Sequence, residues 1–155
     1  DQGSGYSIGR KVLQAAVKSF DGRGPKTYLE GLVCEHFMVP KISLLKQEVY
    51  NPDLTKSEVA RLSRLCTKAV EAGDEVAIQI LDEEIQEMVL SVATVLTRLH
   101  SGENEFEIVF AGAILELENV AGKVREQLSA QFSHLKFVRQ EKDPVYGAVK
   151  LALQK

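Results

Sequence analysis

The spacing of the reactive side chains narrows the reactions open to this sequence. The opening stretch DQGSGY sets Asp1 beside Gly3 and Gly5. A carboxylate there could accept hydrogen bonds from hydroxyl groups, and glycines let a ligand approach the main chain closely. The same residues also suit a plain helix start, with Ser4 or Ser7 as the capping hydroxyl. The run VFAGAI at 109–114 poses a similar choice. A buried strand ending in a small residue and Gly112 before a helix opens the backbone to a ligand, as at the carboxyl edge of α/β sheets; a tight turn that only needs a small residue reads equally well. Asp82, Glu83, Glu84 and Glu87 form a carboxylate cluster assigned to the polar side of a long helix, and read as a solvated face.

Other chemistries are disfavoured. Cys34 and Cys66 sit inside helical patterns without CxxC spacing, which argues for two buried thiols in a reducing cytoplasm rather than a disulfide or zinc site. His36, His100 and His134 lie far apart with neither HxxxH nor HExxH spacing, as ordinary surface or helix-end residues do. The phosphate loop GxxxxGK[ST] is absent, and neither GSG at 3–5 nor GRG at 22–24 forms a GxGxxG fingerprint after a strand. No Ser-His-Asp or Cys-His arrangement is supported by spacing. A net charge of -3 gives nucleic acid or an anionic membrane no electrostatic hold on the chain as a whole. No stretch nears the roughly 20 apolar residues that span a bilayer, and residues 1–20 lack the basic-then-apolar plan of a secretion signal. The expectation is a cytoplasmic protein without nucleic-acid or membrane partners.

A length of 155 residues suffices for one core. Ile8, Val12, Leu13, Ala16, Val17 and Phe20 line one face of a helix over 7–20, which DGRG at 21–24 stops. Thr27 and Glu30 spell a capping box for a helix carrying Leu29, Leu32, Val33 and Phe37. Pro40 breaks the chain before a short helix through Ile42, Leu44, Leu45 and Val49. Thr55 and Glu58 spell a second box, with Leu54 and Val59 as a hydrophobic staple, for a helix running to about Ala72. Gly73 closes that helix and Asp74 caps the next, the longest, with Ala77, Leu81, Ile85, Met88, Val92, Leu96 and Leu99 on one stripe.

After HSGENE at 100–105 the pattern changes. Residues 106–111 read as a buried strand, Val120, Val124, Leu128 and Phe132 as a helix, and 135–138 as a second strand. Pro144 suits the start of a last helix through Val145, Ala148, Val149 and Leu153. Strands separated by a helix are usually parallel neighbours. The fold class is therefore α/β, mostly helical, with two short parallel strands. Such a pair leaves edges unpaired and faces uncovered, so the sheet reads as unfinished.

Taken together and in order, these pieces resemble the C-terminal part of the N-acetylglucosamine kinase-like, BadF/BadG/BcrA/BcrD-type ATPases of the sugar kinase, Hsp70 and actin superfamily. DQGSGYSIGRKVL is similar to that family's D-E-G-S-[AG]-Y-x-[IL]-G loop and helix, and DGRGPKT and EHFMVP to its next segments. EAGDEVAIQIL resembles its A-x-x-G-D-x-x-A step, IVFAGAIL its strand and adenosine loop, and DPVYGAVKLAL its closing helix. Two departures stand out: Gln2 replaces the usual Glu, and the adenosine loop reads Gly112-Ala113.

The resemblance implies a partial ribonuclease H-like half of an actin-like ATPase fold. It implies one C-terminal subdomain over 1–155, with the N-terminal ATPase half and the first strands of this half lying before Asp1. By the same resemblance Asp1 contacts a substrate hydroxyl, Ala60 is a small residue beside the nucleotide, and Gly112 with Ala113 forms the adenosine loop. ATP with Mg and an amino sugar would be the ligands of the complete protein. Its general base and phosphate loops would precede Asp1, so no catalytic residue is assigned and the 155 residues alone are expected to be inactive. Two other readings stay open. One is an activator ATPase of the 2-hydroxyacyl-CoA dehydratase or benzoyl-CoA reductase type, which needs cluster-ligating cysteines; the other is a non-enzymatic helical interaction module. The bare strand edge suggests a homodimer.

Overall fold

The structure, a computed structural model, describes residues 2–99 and 105–154. In order its elements are α1 (Gly5–Asp21), α2 (Leu29–His36), a 3-10 turn (Ile42–Leu44), α3 (Leu45–Val49), α4 (Lys56–Arg61), α5 (Ser63–Glu71) and α6 (Glu75–Arg98). There follow β1 (Phe106–Val109), α7 (Glu118–Gln131), β2 (Leu135–Val138) and α8 (Pro144–Leu153). The mostly helical α/β expectation holds. The chain divides into two compact units, 1–88 and 89–155.

In the first unit α1 packs against α2, α4 and α5. Its apolar face supplies Ile8, Val12 and Ala16 to a core completed by Leu29, Leu32 and Val33 of α2, Cys66 and Ala69 of α5, and Ala77, Leu81 and Ile85 of α6. Burying a side chain of the size of Leu29 or Ile85 contributes about 1.5–3 kcal/mol, which is why the 3.6-residue apolar period, not helix propensity alone, fixes these helices. Of the two candidate caps for α1, Ser4 acts: its side chain accepts from the Ser7 N–H.

Local capping chemistry is kept where nothing distant competes. The Thr55–Glu58 box forms in both directions, and the pull of the Thr55 donors holds the Glu58 carboxyl below its usual range. Gly73 and Asp74 donate to the Val70 and Ala69 carbonyls, closing α5 with a Schellman turn. Asp74 then caps α6 by accepting from the Ala77 N–H at 2.8 Å.

Three expectations fail here. The Thr27–Glu30 box does not form, because the Asp74 carboxylate captures the Thr27 hydroxyl and the Tyr28 N–H, while Glu30 accepts from the Ser19 hydroxyl. The helix expected over 55–72 is two helices, interrupted at Leu62 by i to i+3 bonds from Leu62 to Val59 and from Leu65 to Leu62. At the same break the Ser63 hydroxyl takes the Ala60 carbonyl. Only Cys66 is buried; Cys34 is half-buried, and both are free thiols.

The second unit holds β1 and β2, paired in parallel from Phe106 with Leu135 to Val109 with Val138. β1 ends at Val109 rather than 111, since its partner strand ends at Val138 and offers no further pairing. α7 packs on β2 and buries Val120, Ala121, Val124 and Leu128. α8 starts as expected, with Pro144 in its first turn and the Asp143 side chain accepting from the Val145 N–H. It buries no residue. Among the described residues no helix is long and apolar enough to cross a membrane.

Candidate functional site

The N-terminal loop is held from below by a member of the carboxylate cluster expected to face solvent. Glu84 on α6 is fully buried. Its Oε2 accepts from the Gly3 N–H, and its Oε1 accepts from the Ser7 hydroxyl at 2.7 Å and lies 2.9 Å from the Lys11 ammonium. A buried carboxylate without such partners would cost several kcal/mol, so the three donors and the carboxylate require one another. Burial alone would raise the Glu84 pKa, but the Lys11 ammonium, the Ser7 hydroxyl and the Gly3 N–H outweigh it and hold the group below the usual carboxylate range. For Lys11, burial works to lower the pKa, yet Glu83 and Glu84 together leave it raised. Lys11 also bonds Glu83 at 2.9 Å, and that bond is the main reason the Glu83 pKa is lowered.

The burial of Glu84 has a signal in the sequence. Glu84 lies seven residues after Ala77 and three after Leu81, on the apolar stripe and not opposite it. A charged residue at core spacing is the signal that could have found it.

The helix that follows the loop lies against α4 with almost nothing between them. A Cβ on Gly9 would be driven into the Val59 carbonyl, and one on Gly5 would stand 3.2 Å from the Ala60 carbonyl. Two glycines one turn apart thus let two helix backbones touch. Ala60, half-buried, is brought against Gly5. Asp1, the expected substrate contact, lies outside the described residues.

Gly112 and Ala113 belong to the second unit, in an exposed turn after β1. Gly112 has φ +101, a conformation that a side chain resists, and open space where a Cβ would be. Its carbonyl accepts from the Leu115 and Glu116 N–H groups, which winds the chain toward α7. The turn requirement for glycine is thereby met, and the backbone faces open space as well. Within the same unit a hollow of about 860 Å³ opens at the carboxyl ends of β1 and β2, where ligands of parallel sheets usually bind. Phe110 and Phe137 line it with ring centroids 5.6 Å apart, and Arg125 lies over the Phe110 ring at 5.8 Å while pairing with Glu118 at 3.0 Å. Flat apolar rings beside a guanidinium suit a planar heterocycle with acceptor atoms. Among the described residues no cluster of three or more His, Cys, Asp or Glu could hold a metal ion.

The model of the BadF/BadG/BcrA/BcrD ATPase family matches residues 1–152. The chain belongs to this family. The BadF-type fold is an actin-like ATPase fold, consistent with a helical chain carrying two parallel strands. Among curated relatives of this BadF-type chain, an N-acetylmuramic acid/N-acetylglucosamine kinase of Clostridium acetobutylicum is 35% identical over 153 residues, 98% of this chain and 50% of the relative. An N-acetyl-D-glucosamine kinase of Dictyostelium discoideum is 28% identical over 156 residues, 99% of this chain and 49% of the relative. The BadF-type chain thus spans about half the length of the curated relatives it matches.

Proposed function

We propose that this chain serves as the C-terminal subdomain of an ATP-dependent amino-sugar kinase, whose complete protein transfers the γ-phosphate of ATP to a sugar hydroxyl. The observation that carries the reading is the end-to-end match, 98% of the chain, to half of an N-acetylmuramic acid/N-acetylglucosamine kinase. The activator-ATPase reading asks for exposed cluster-ligating thiols, which a buried Cys66 and a half-buried Cys34 do not offer.

In this reading Asp1 accepts a hydrogen bond from a sugar hydroxyl. Ala60 leaves room near the purine by carrying only a methyl group, and Gly112 and Ala113 offer main chain to the adenosine. The aromatic hollow beside Phe110 and Phe137 fits a nucleobase, which supports ATP as the nucleotide. Phosphoryl transfer depends on aligning the hydroxyl with the γ-phosphate and neutralising charge there, with a divalent ion supplying much of that neutralisation when bound. In this reading the part of this chain is to bind and orient the sugar and the nucleotide. The general base, a cytoplasmic setting and a homodimer through the free strand edges belong to the same proposal.

The test is to express the complete open reading frame beside residues 1–155 and to measure ATP-dependent phosphorylation of N-acetylglucosamine and N-acetylmuramic acid. The complete protein should phosphorylate one or both and the 155 residues neither. A complete protein inert toward every amino sugar overturns the reading, and turnover by the 155 residues overturns the division of labour. Light scattering of the purified protein tests the dimer, which a strictly monomeric sample would refute.

A further inference from the structure

We propose that Glu84 is the positioning residue of the N-terminal substrate loop, holding residues 3–11 through the Gly3 N–H, the Ser7 hydroxyl and the Lys11 ammonium. The assignment rests on the reading above, in which that loop meets a sugar hydroxyl.

All three donors around the Glu84 carboxylate come from one stretch, residues 3–11, and reach it across 73 to 81 positions of sequence. Its core neighbours on the same stripe, Ala77, Leu81 and Ile85, are apolar and equally buried. Packing alone gives no reason for a carboxylate there, since a buried ion pair can be exchanged for well-packed apolar groups at little cost in stability. What the charge adds is direction. Both carboxylate oxygens are used, one on the main chain of Gly3 and one on Ser7 and Lys11, which fixes the loop at two separated points. Gly3 is also pressed close to Met88, where a Cβ would collide with that side chain. Lys11 is shared between Glu84 and Glu83, and the Cys66 thiol is near enough for its pKa to feel the Glu84 carboxylate.

The experiment uses the complete protein and four variants: Glu84→Gln, Ser7→Ala, Ser7→Thr and Lys11→Met. For each, kcat and KM are measured separately for amino sugar and for ATP, rates are corrected for folded fraction, and amide exchange is followed over residues 2–8. Misplacing a binding group by about 1 Å can cost up to about 100-fold. The expected result is a fall of that size in kcat/KM for the sugar in Glu84→Gln and a smaller fall in Ser7→Ala. KM for ATP should stay within about twofold and exchange at Gly3 should quicken, while Ser7→Thr, which keeps the hydroxyl, should recover the sugar parameters. If Glu84→Gln fails to fold, Ser7→Ala against Ser7→Thr decides alone, because the carboxylate remains paired with Lys11. Equal losses toward sugar and ATP, or a stability loss with unchanged sugar kinetics, overturn the positioning role and leave the kinase reading standing. A wild type that phosphorylates no amino sugar, whatever the exchange data show, overturns both.

Discussion

Replacing Gly9 and Gly31 with alanine, one at a time, makes the same chemical change in two helices of the same unit and should move stability in opposite directions. Alanine in a helix interior is favoured over glycine by about 0.5–1 kcal/mol, through a smaller loss of backbone entropy. At Gly31 on α2 a Cβ would meet no atom within 4 Å, so that gain is retained in full. At Gly9 on α1 the Cβ meets the main-chain carbonyl of Val59, which cannot swing aside as the end of a side chain could. Either α1 and α4 move apart, loosening a face that includes Ile8 and Val12, or α4 distorts; overpacking of this kind costs about 1–3 kcal/mol. With a backbone obstacle the upper end applies, and subtracting the propensity gain leaves a net loss of about 2 kcal/mol. At about 2–4 °C per kcal/mol for a chain of this size, Gly9→Ala should melt about 4–8 °C below wild type and Gly31→Ala about 1–4 °C above it. Thermal unfolding of the three proteins, followed by far-ultraviolet circular dichroism under identical conditions, reads the difference. A Gly9→Ala variant that melts at or above wild type would refute the backbone contact between α1 and α4.

Asp74→Ala removes at once the acceptor of the Ala77 N–H, the Tyr28 N–H and the Thr27 hydroxyl. The lost cap and the stranded donors should lower stability by about 2–3 kcal/mol, seen as a lower urea midpoint, with Asp74→Asn recovering part of it. Glu84 has a folded pKa below its unfolded value of about 4.3, so its contribution is complete above that value and is lost as pH falls through the folded one. Urea midpoints between pH 6 and pH 3 should therefore fall more steeply for wild type than for Glu84→Gln; parallel curves would contradict the pairing. Burial, with the carboxylates of Asp74 and Glu84, pushes the Cys66 thiol up to about 12. In native protein at pH 8 an alkylating reagent should label half-buried Cys34 well before Cys66, as peptide mass mapping would show, and equal rates would place Cys66 wrongly.

What the sequence conveyed well is what depends on neighbours a few residues away. The Thr55–Glu58 box, the Gly73–Asp74 joint, the start of α8 at Pro144 and both strands are legible because each is set by local backbone donors or by short apolar runs. The family likeness was legible too, since it is spread over ordered short motifs and not concentrated in one. What failed was decided by partners distant in sequence. Thr27 has the right spacing for a box, yet Asp74, 47 residues away, takes its hydroxyl. The break at Leu62 sits where the Val59 carbonyl faces a glycine of α1, which no pattern within 55–72 could announce. Glu84 was grouped with Asp82, Glu83 and Glu87 by composition, although its position in the turn puts it inside. The aromatic hollow of the second unit draws Phe110, Arg125 and Phe137 from three segments, and only folding brings them together.

The three residues between α5 and α6 set a rule about length as well as shape. Glu71 ends one helix and Glu75 begins the next, and within that gap Asp74 both completes the turn and receives Thr27 and Tyr28. One residue inserted between Asp74 and Glu84 would leave the joint intact but rotate everything beyond it by roughly 100° and advance it by roughly 1.5 Å. Glu84 would then turn away from Gly3 and Ser7 into the core position held by Ile85, with Glu83 carried beneath the loop in its place, while a one-residue deletion would bring apolar Ile85 there. Between these two carboxylates the exposed side chains can vary, while the buried ones and the length cannot: the count of ten steps from one to the other is itself part of the site.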